Sequence, residues 1–160
     1  MINKDSPKEV NMPLIRLLKH NEAEILEDAI ITIENSHLRH YSTFNTQKNR
    51  KRLNRLQNLL QICVKKSTLT PIKNYIEAIA KERFFSGFDL KEVLTSINIL
   101  EEIIWKKVIE NLKLEECADA LSTISTVFGT AKSSLTCTYV SLASHTKNPK
   151  YDVSALFKGT

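Results

Sequence analysis

The chain has 160 residues, 42% apolar and 26% charged, with a formal charge of +5 at pH 7. Such a mixture supports one domain with its own core and excludes a low-hydrophobicity disordered chain. No apolar run reaches the roughly 18 residues that a membrane span needs.

Three glycines and four prolines offer few turn positions, so a few long elements are expected rather than many short strands. The reading is all-α. The opening "MINKDSPKEVNMP" lacks the apolar middle of a signal peptide, and a cytoplasmic location is expected. Cys63, Cys117 and Cys137 are far apart and form no CxxC or metal-ligand spacing. They read as buried free thiols, and no metal site is expected.

In chain order, residues 1–12 read as a tail, 13–145 as one helical domain of five to six helices, and 146–160 as a polar tail. Pro13 opens a short segment through Lys19. Asn21 with Glu24 three residues on suggests a capping box for a helix to about His37, burying Ala23, Leu26, Ala29, Ile30 and Ile33. The polar "RHYSTFNTQ" reads as a loop. A helix from about Thr46 to Lys66 follows, with Leu53, Leu56, Leu60, Cys63 and Val64 on one stripe. "STLTP" then breaks the chain, with Thr70 as cap and Pro71 as the first residue of a helix to about Phe85.

The formal charge of +5 is modest, and its size is matched by one run, "KNRKRLNR", where Lys48, Arg50, Lys51, Arg52 and Arg55 fall within eight residues. No recognisable nucleic-acid fold signature or stacking aromatics accompany it, so nucleic acid is not expected. A solvated helix face or a stripe for an acidic protein partner fits better.

"SGFD" reads as a corner. Gly87 suits a left-handed helix end, Asp89 and Glu92 form a capping box, and Phe88 with Val93 a hydrophobic staple. In the helix that follows, Val93, Leu94, Ile97, Leu100, Ile104, Trp105 and Val108 fill a broad apolar arc, widened by Ile103 and Ile109. Glu101 falls inside that arc and Glu102 outside it. A buried carboxylate needs a cation or a proton. Arg83, just before the corner, is the expected partner of Glu101, as a structural pair or part of a switch.

The last helix, from about Leu114 to Ser144, carries one charged residue after Ala120, Lys132, and eleven Ser or Thr over that stretch. Leu121, Ile124, Phe128, Ala131, Leu135, Thr138 and Leu142 alternate steps of three and four. With so few charges to face water, burial on two sides is expected: its own core and a second subunit. The homodimer interface is expected at Leu121, Ile124, Phe128, Gly129, Ala131 and Leu135.

"HYSTFN", "NYIEAIAKERFFSGFDLKEVLTSINILEEIIWKKV" and "TVFGTAKSSLTCTYVSLA" resemble the N-terminal sensor domain family of RsbR-type regulators, also found ahead of bacterial histidine kinases. The family's pattern is a helix ending in Arg, a Gly corner, then an apolar helix closing in Trp. It is matched at Arg83, Gly87, Asp89 to Leu94 and Trp105, over about residues 14 to 145. The resemblance implies a globin-like, dimeric helical domain that does not need haem and passes a signal to an attached or bound output domain. After His145 the sequence reads "TKNPKYDVSALFKGT", a polar tail, so the output is expected on a separate kinase, phosphatase or STAS-type partner.

His20, His37, His40 and His145 are the only histidines, and none lies within a long apolar helix face. No haem or other cofactor is expected. No nucleophile elbow, phosphate loop or metal-binding His pair is present, so an enzyme is not expected. Tyr75, Phe84, Trp105, Phe128 and Tyr139 are candidates to line a small apolar ligand pocket. The function expected is a non-enzymatic sensory or regulatory module; the alternative is an adaptor using the basic stripe on an acidic partner.

Overall fold

Six helices follow one another in a computed structural model that describes residues 11–41 and 46–146: α1 (Met12–His20), α2 (Glu22–Asn35), α3 (Thr46–Lys66), α4 (Thr70–Phe85), α5 (Leu90–Asn111) and α6 (Leu114–Thr146). The expected tails lie outside these residues apart from Asn11, Met12 and Thr146. No strand occurs among the described residues, and the all-α reading holds. No helix among them is long and apolar enough to cross a membrane.

The 33-residue α6 is the spine, packing most extensively on α4 and α5, while α2 bridges α5 and α3. Leu14, Ile25, Leu60, Ile72, Leu100, Ile104, Ile124, Phe128 and Leu135 are fully or almost fully buried. They represent all six helices in one continuous core. Burying a side chain of this kind is worth about 1.5–3 kcal/mol, which is what holds individually marginal helices in place.

Local signals account for most boundaries. The side chain of Asn11 accepts a hydrogen bond from the Leu14 amide at 3.1 Å, so α1 begins one residue before Pro13. Asn21 does not cap α2. Its side-chain amide donates to the Leu17 carbonyl at 2.9 Å and closes α1 instead, while Glu24 reaches across to Lys107 on α5. Thr70 lies inside α4, with Leu69 at the N-cap position. In α2, Ala29, Ile30 and Ile33 are buried and Leu26 partly so, as expected, whereas Ala23 is exposed and Ile25 is fully buried, because the helix leans on α5 as well as α3. The α3 stripe is buried throughout. Of the cysteines only Cys63 is buried; Cys117 is half-buried and Cys137 exposed.

The α4–α5 corner is built as the residues predict. Gly87 has φ +80°; its amide donates to the Phe84 carbonyl at 3.1 Å, and the Phe88 amide to the Arg83 carbonyl at 3.0 Å. These are the paired bonds of a Schellman end. The Asp89–Glu92 capping box then starts α5.

Two glycine substitutions should shift stability in opposite directions. Gly87→Ala meets no atom within 4 Å, so its cost is backbone strain alone, about 1–2 kcal/mol. Gly129, in the middle of α6, is equally open and has no positive φ; Gly129→Ala should gain about 0.5–1 kcal/mol. Urea melts of dilute protein check both signs.

Candidate functional site

The buried face of α4 repeats at Ile72, Ile76, Ala80 and Arg83, so the apolar side of the helix ends in a cation. Arg83 is 3% exposed. Its guanidinium carbon lies 4.0 Å from the ring centre of Phe88 and 5.1 Å from that of Tyr41. The Phe88 stacking places the side chain three residues past the end of α4 on that of Arg83, the contact that accompanies a Schellman turn. Aromatic faces attract a desolvated cation by about 2 kcal/mol. They supply no lone pairs to its N–H groups, and Nε of Arg83 is buried without a hydrogen-bond partner among the described residues. Burial works against the charge, pulling the guanidinium below its usual range.

The neighbouring groups tie the corner to the rest of the fold. Tyr41 and Phe88 meet edge to face at 5.5 Å, and the His40 ring lies 4.7 Å from Phe88. Glu92 completes its capping box and also accepts from the His40 backbone amide at 3.1 Å and contacts the His40 ring nitrogen at 2.7 Å. From α6, the Tyr139 hydroxyl donates to the Phe88 carbonyl at 3.2 Å. The turn after α2, the α4–α5 corner and α6 therefore converge on Arg83 and Phe88. A cavity of about 40 Å³ adjoins them, lined by Tyr41, Asn49, Arg52, Tyr75, Arg83 and Ser96 among others. Asn49 Oδ1 is also buried and has no partner among the described residues.

The expected Glu101–Arg83 pair does not form. Glu101 is buried at 8% exposure, as its place on the wheel implied, but its partner is Lys132 of α6, with Nζ 2.6 Å from Oε2. The α5 face carrying Glu101 packs on α6, whereas Arg83 is turned towards the Tyr41 loop. Lys132 also donates to Asn98 at 3.2 Å. Glu102 is exposed, reaching Lys106 only at 3.9 Å.

The five proposed pocket aromatics do not share one cavity. Phe84 and Tyr139 meet edge to face at 5.5 Å, Phe128 is buried core, and Tyr75 lines the Arg83 cavity. Trp105 is 38% exposed and Ile109 63%, because the apolar arc of α5 is wider than its neighbours cover.

Most residues expected at a dimer seam face inward instead. Ile124, Phe128, Ala131 and Leu135 are wholly buried in the chain's own core, Leu121 is half-buried, and only Gly129 faces outward. Of the basic stripe, Arg50 pairs with Glu27 and Arg52 with Glu82, while Lys48, Lys51 and Arg55 remain exposed.

Sequence reasoning missed His40, Tyr41, Phe88, Glu92 and Ser96 as members of one site. The loop residues carried no periodicity to place them, and Phe88 and Glu92 were already explained as staple and cap. No group of three or more potential metal ligands occurs among the described residues. In comparison with known proteins, the chain matches no family model and no curated sequence.

Two predictions follow from these pairs. Glu101→Ala strands Lys132, whose side chain is 30% exposed and can turn to water. The cost should be about 1–2 kcal/mol, below that of breaking a wholly buried pair, and Glu102→Ala should stay within about 0.5 kcal/mol in urea melts. The second concerns acid. Burial pushes the Glu92 carboxyl up, but the His40 ring and the His40 and Asp89 amides outweigh it and hold the group below its ordinary 4.5. A depressed carboxyl stabilises the fold above its unfolded value, and that contribution is lost as pH falls through the folded value. Glu92→Gln should therefore be less stable near neutrality and flatter from pH 4.5 downward, as read by chemical melts across pH.

Proposed function

We propose that this chain is a non-enzymatic regulatory module that dimerises and passes a signal to a separate partner protein, in the manner of the RsbR-type sensor domains it resembles. The observation carrying this reading is the outer face of α6. Its one charge between Ala120 and Ser144, Lys132, is engaged by Glu101. What faces out is Ser125, Thr126, Gly129, Ser133, Cys137 and Ser141. These residues form one wall of an open groove whose other wall, on α4, bears Lys73, Glu77 and Lys81.

A water-facing helix ordinarily spends such positions on charged residues. A charge-free strip of small side chains permits close approach of a second copy, with no like charges meeting across a two-fold axis. The interface in this reading lies one helix face away from the heptad seam, which the chain's own core uses. The same helix reaches the Arg83 corner through Tyr139 and Phe88, so a change at either end has a short route to the other.

Analytical ultracentrifugation at high micromolar concentration should find a dimer. Ser133→Arg, at an exposed position, should leave the fold intact and weaken association about 100-fold, since it places a guanidinium where it would be desolvated. A wild-type chain that sediments as a monomer under those conditions overturns the proposal.

A further inference from the structure

Arg83 raises a question that its structural role does not answer. A buried guanidinium costs several kcal/mol in lost hydration unless a counter-charge and acceptors replace the water. Glu101, the obvious acid, is held by Lys132, and Glu92 is occupied by His40 and its own capping box. Glu82 is exposed and bound to Arg52. Of the charged groups acting on Arg83, Arg52 opposes its charge and Glu82 favours it, and those two pair with one another.

From this we infer that the cavity beside Arg83 is a binding site for one small monovalent anion of the size of a halide, nitrate or formate. About 40 Å³ accommodates a single such ion or a few waters. It is far below the several hundred Å³ that a nucleotide or a drug-sized ligand fills.

The walls suit an anion. Arg83 supplies a buried N–H with no acceptor among the described residues, and the Tyr41 hydroxyl, 3.3 Å from a Ser96 Oγ that itself donates to the Val93 carbonyl at 2.8 Å, supplies one O–H donor whose direction can adjust. Arg52, paired with Glu82, lies at the rim. Asn49 lines the same cavity with an unsatisfied amide oxygen, and a half-turn of that amide presents its N–H groups instead. Apolar groups such as Val93 and Ile97 line part of the remaining wall, and the low dielectric beside them strengthens the attraction for an ion that fits.

Neutral water can satisfy the Arg83 N–H but not its charge, and this difference provides the test. The site lies within one chain, so the inference stands apart from the dimer proposal. Thermal melts of the wild-type chain are compared in sodium bromide and sodium gluconate at equal ionic strength, gluconate being too large to enter. Bromide at about 100-fold over its Kd should raise the melting temperature by roughly 5 °C relative to gluconate. Non-specific salt effects do not produce that order, since weakly hydrated bromide is the poorer general stabiliser.

Asn49→Asp places a carboxylate in the cavity wall, and its bromide dependence should vanish. A crystal of the wild-type chain grown with bromide should show an anomalous peak in contact with Arg83 Nε. Equal melting temperatures in the two salts, bromide dependence that survives in Asn49→Asp, or an ordered water with no anomalous signal at Arg83 would each overturn the inference.

Discussion

The packing of the Phe88 ring on the buried Arg83 guanidinium is the contact on which this fold turns. It joins two requirements that are separate in most helical corners. The chain must leave α4 through a left-handed residue, and a cation at the end of an apolar face must be sheltered. The Schellman bonds bring Phe88 back over Arg83, so the turn that ends the helix also covers the charge. Tyr41 and His40 then close the remaining sides of Phe88, and Glu92 holds His40 by backbone and ring. Removing any one of these groups alters the surroundings of the others, because a guanidinium out of water tolerates little slack.

Around that corner α6 has a two-sided character. Its inner face, from Ala120 through Ile124, Phe128, Ala131 and Leu135 to Tyr139, fills the core between α4 and α5. Its outer face is small, polar and without charge. Between them Lys132 bridges to Glu101 and fixes the rotation of α6 on α5. One residue of slip would pull the ammonium from a carboxylate that is itself buried.

These two features belong to a helical assembly with an interior charge and a spare face. The corner and the helix that runs from it to an open groove meet where the Tyr139 hydroxyl donates to the Phe88 carbonyl and the Tyr139 ring packs on Phe84.

Much of this was legible in the residues alone, wherever the cause is local. The helix count, the α3 stripe, the Gly87 corner with its Asp89–Glu92 cap, and the burial of Glu101 against the exposure of Glu102 all follow from steric rules and helical periodicity over a few residues. What lay beyond the sequence was the identity of partners. A wheel shows that Glu101 turns inward but not which cation it meets. Lys132 lies 31 positions away on another helix, and nothing periodic links the two. The heptad of α6 showed an apolar seam but not whose core it fills, and the surplus arc of α5 did not reveal that Trp105 and Ile109 would stay uncovered. Local chemistry determines which way each side chain faces. Only the packing of helix on helix decides what it faces, because that choice minimises the exposed area and unpaired charge of the whole chain at once.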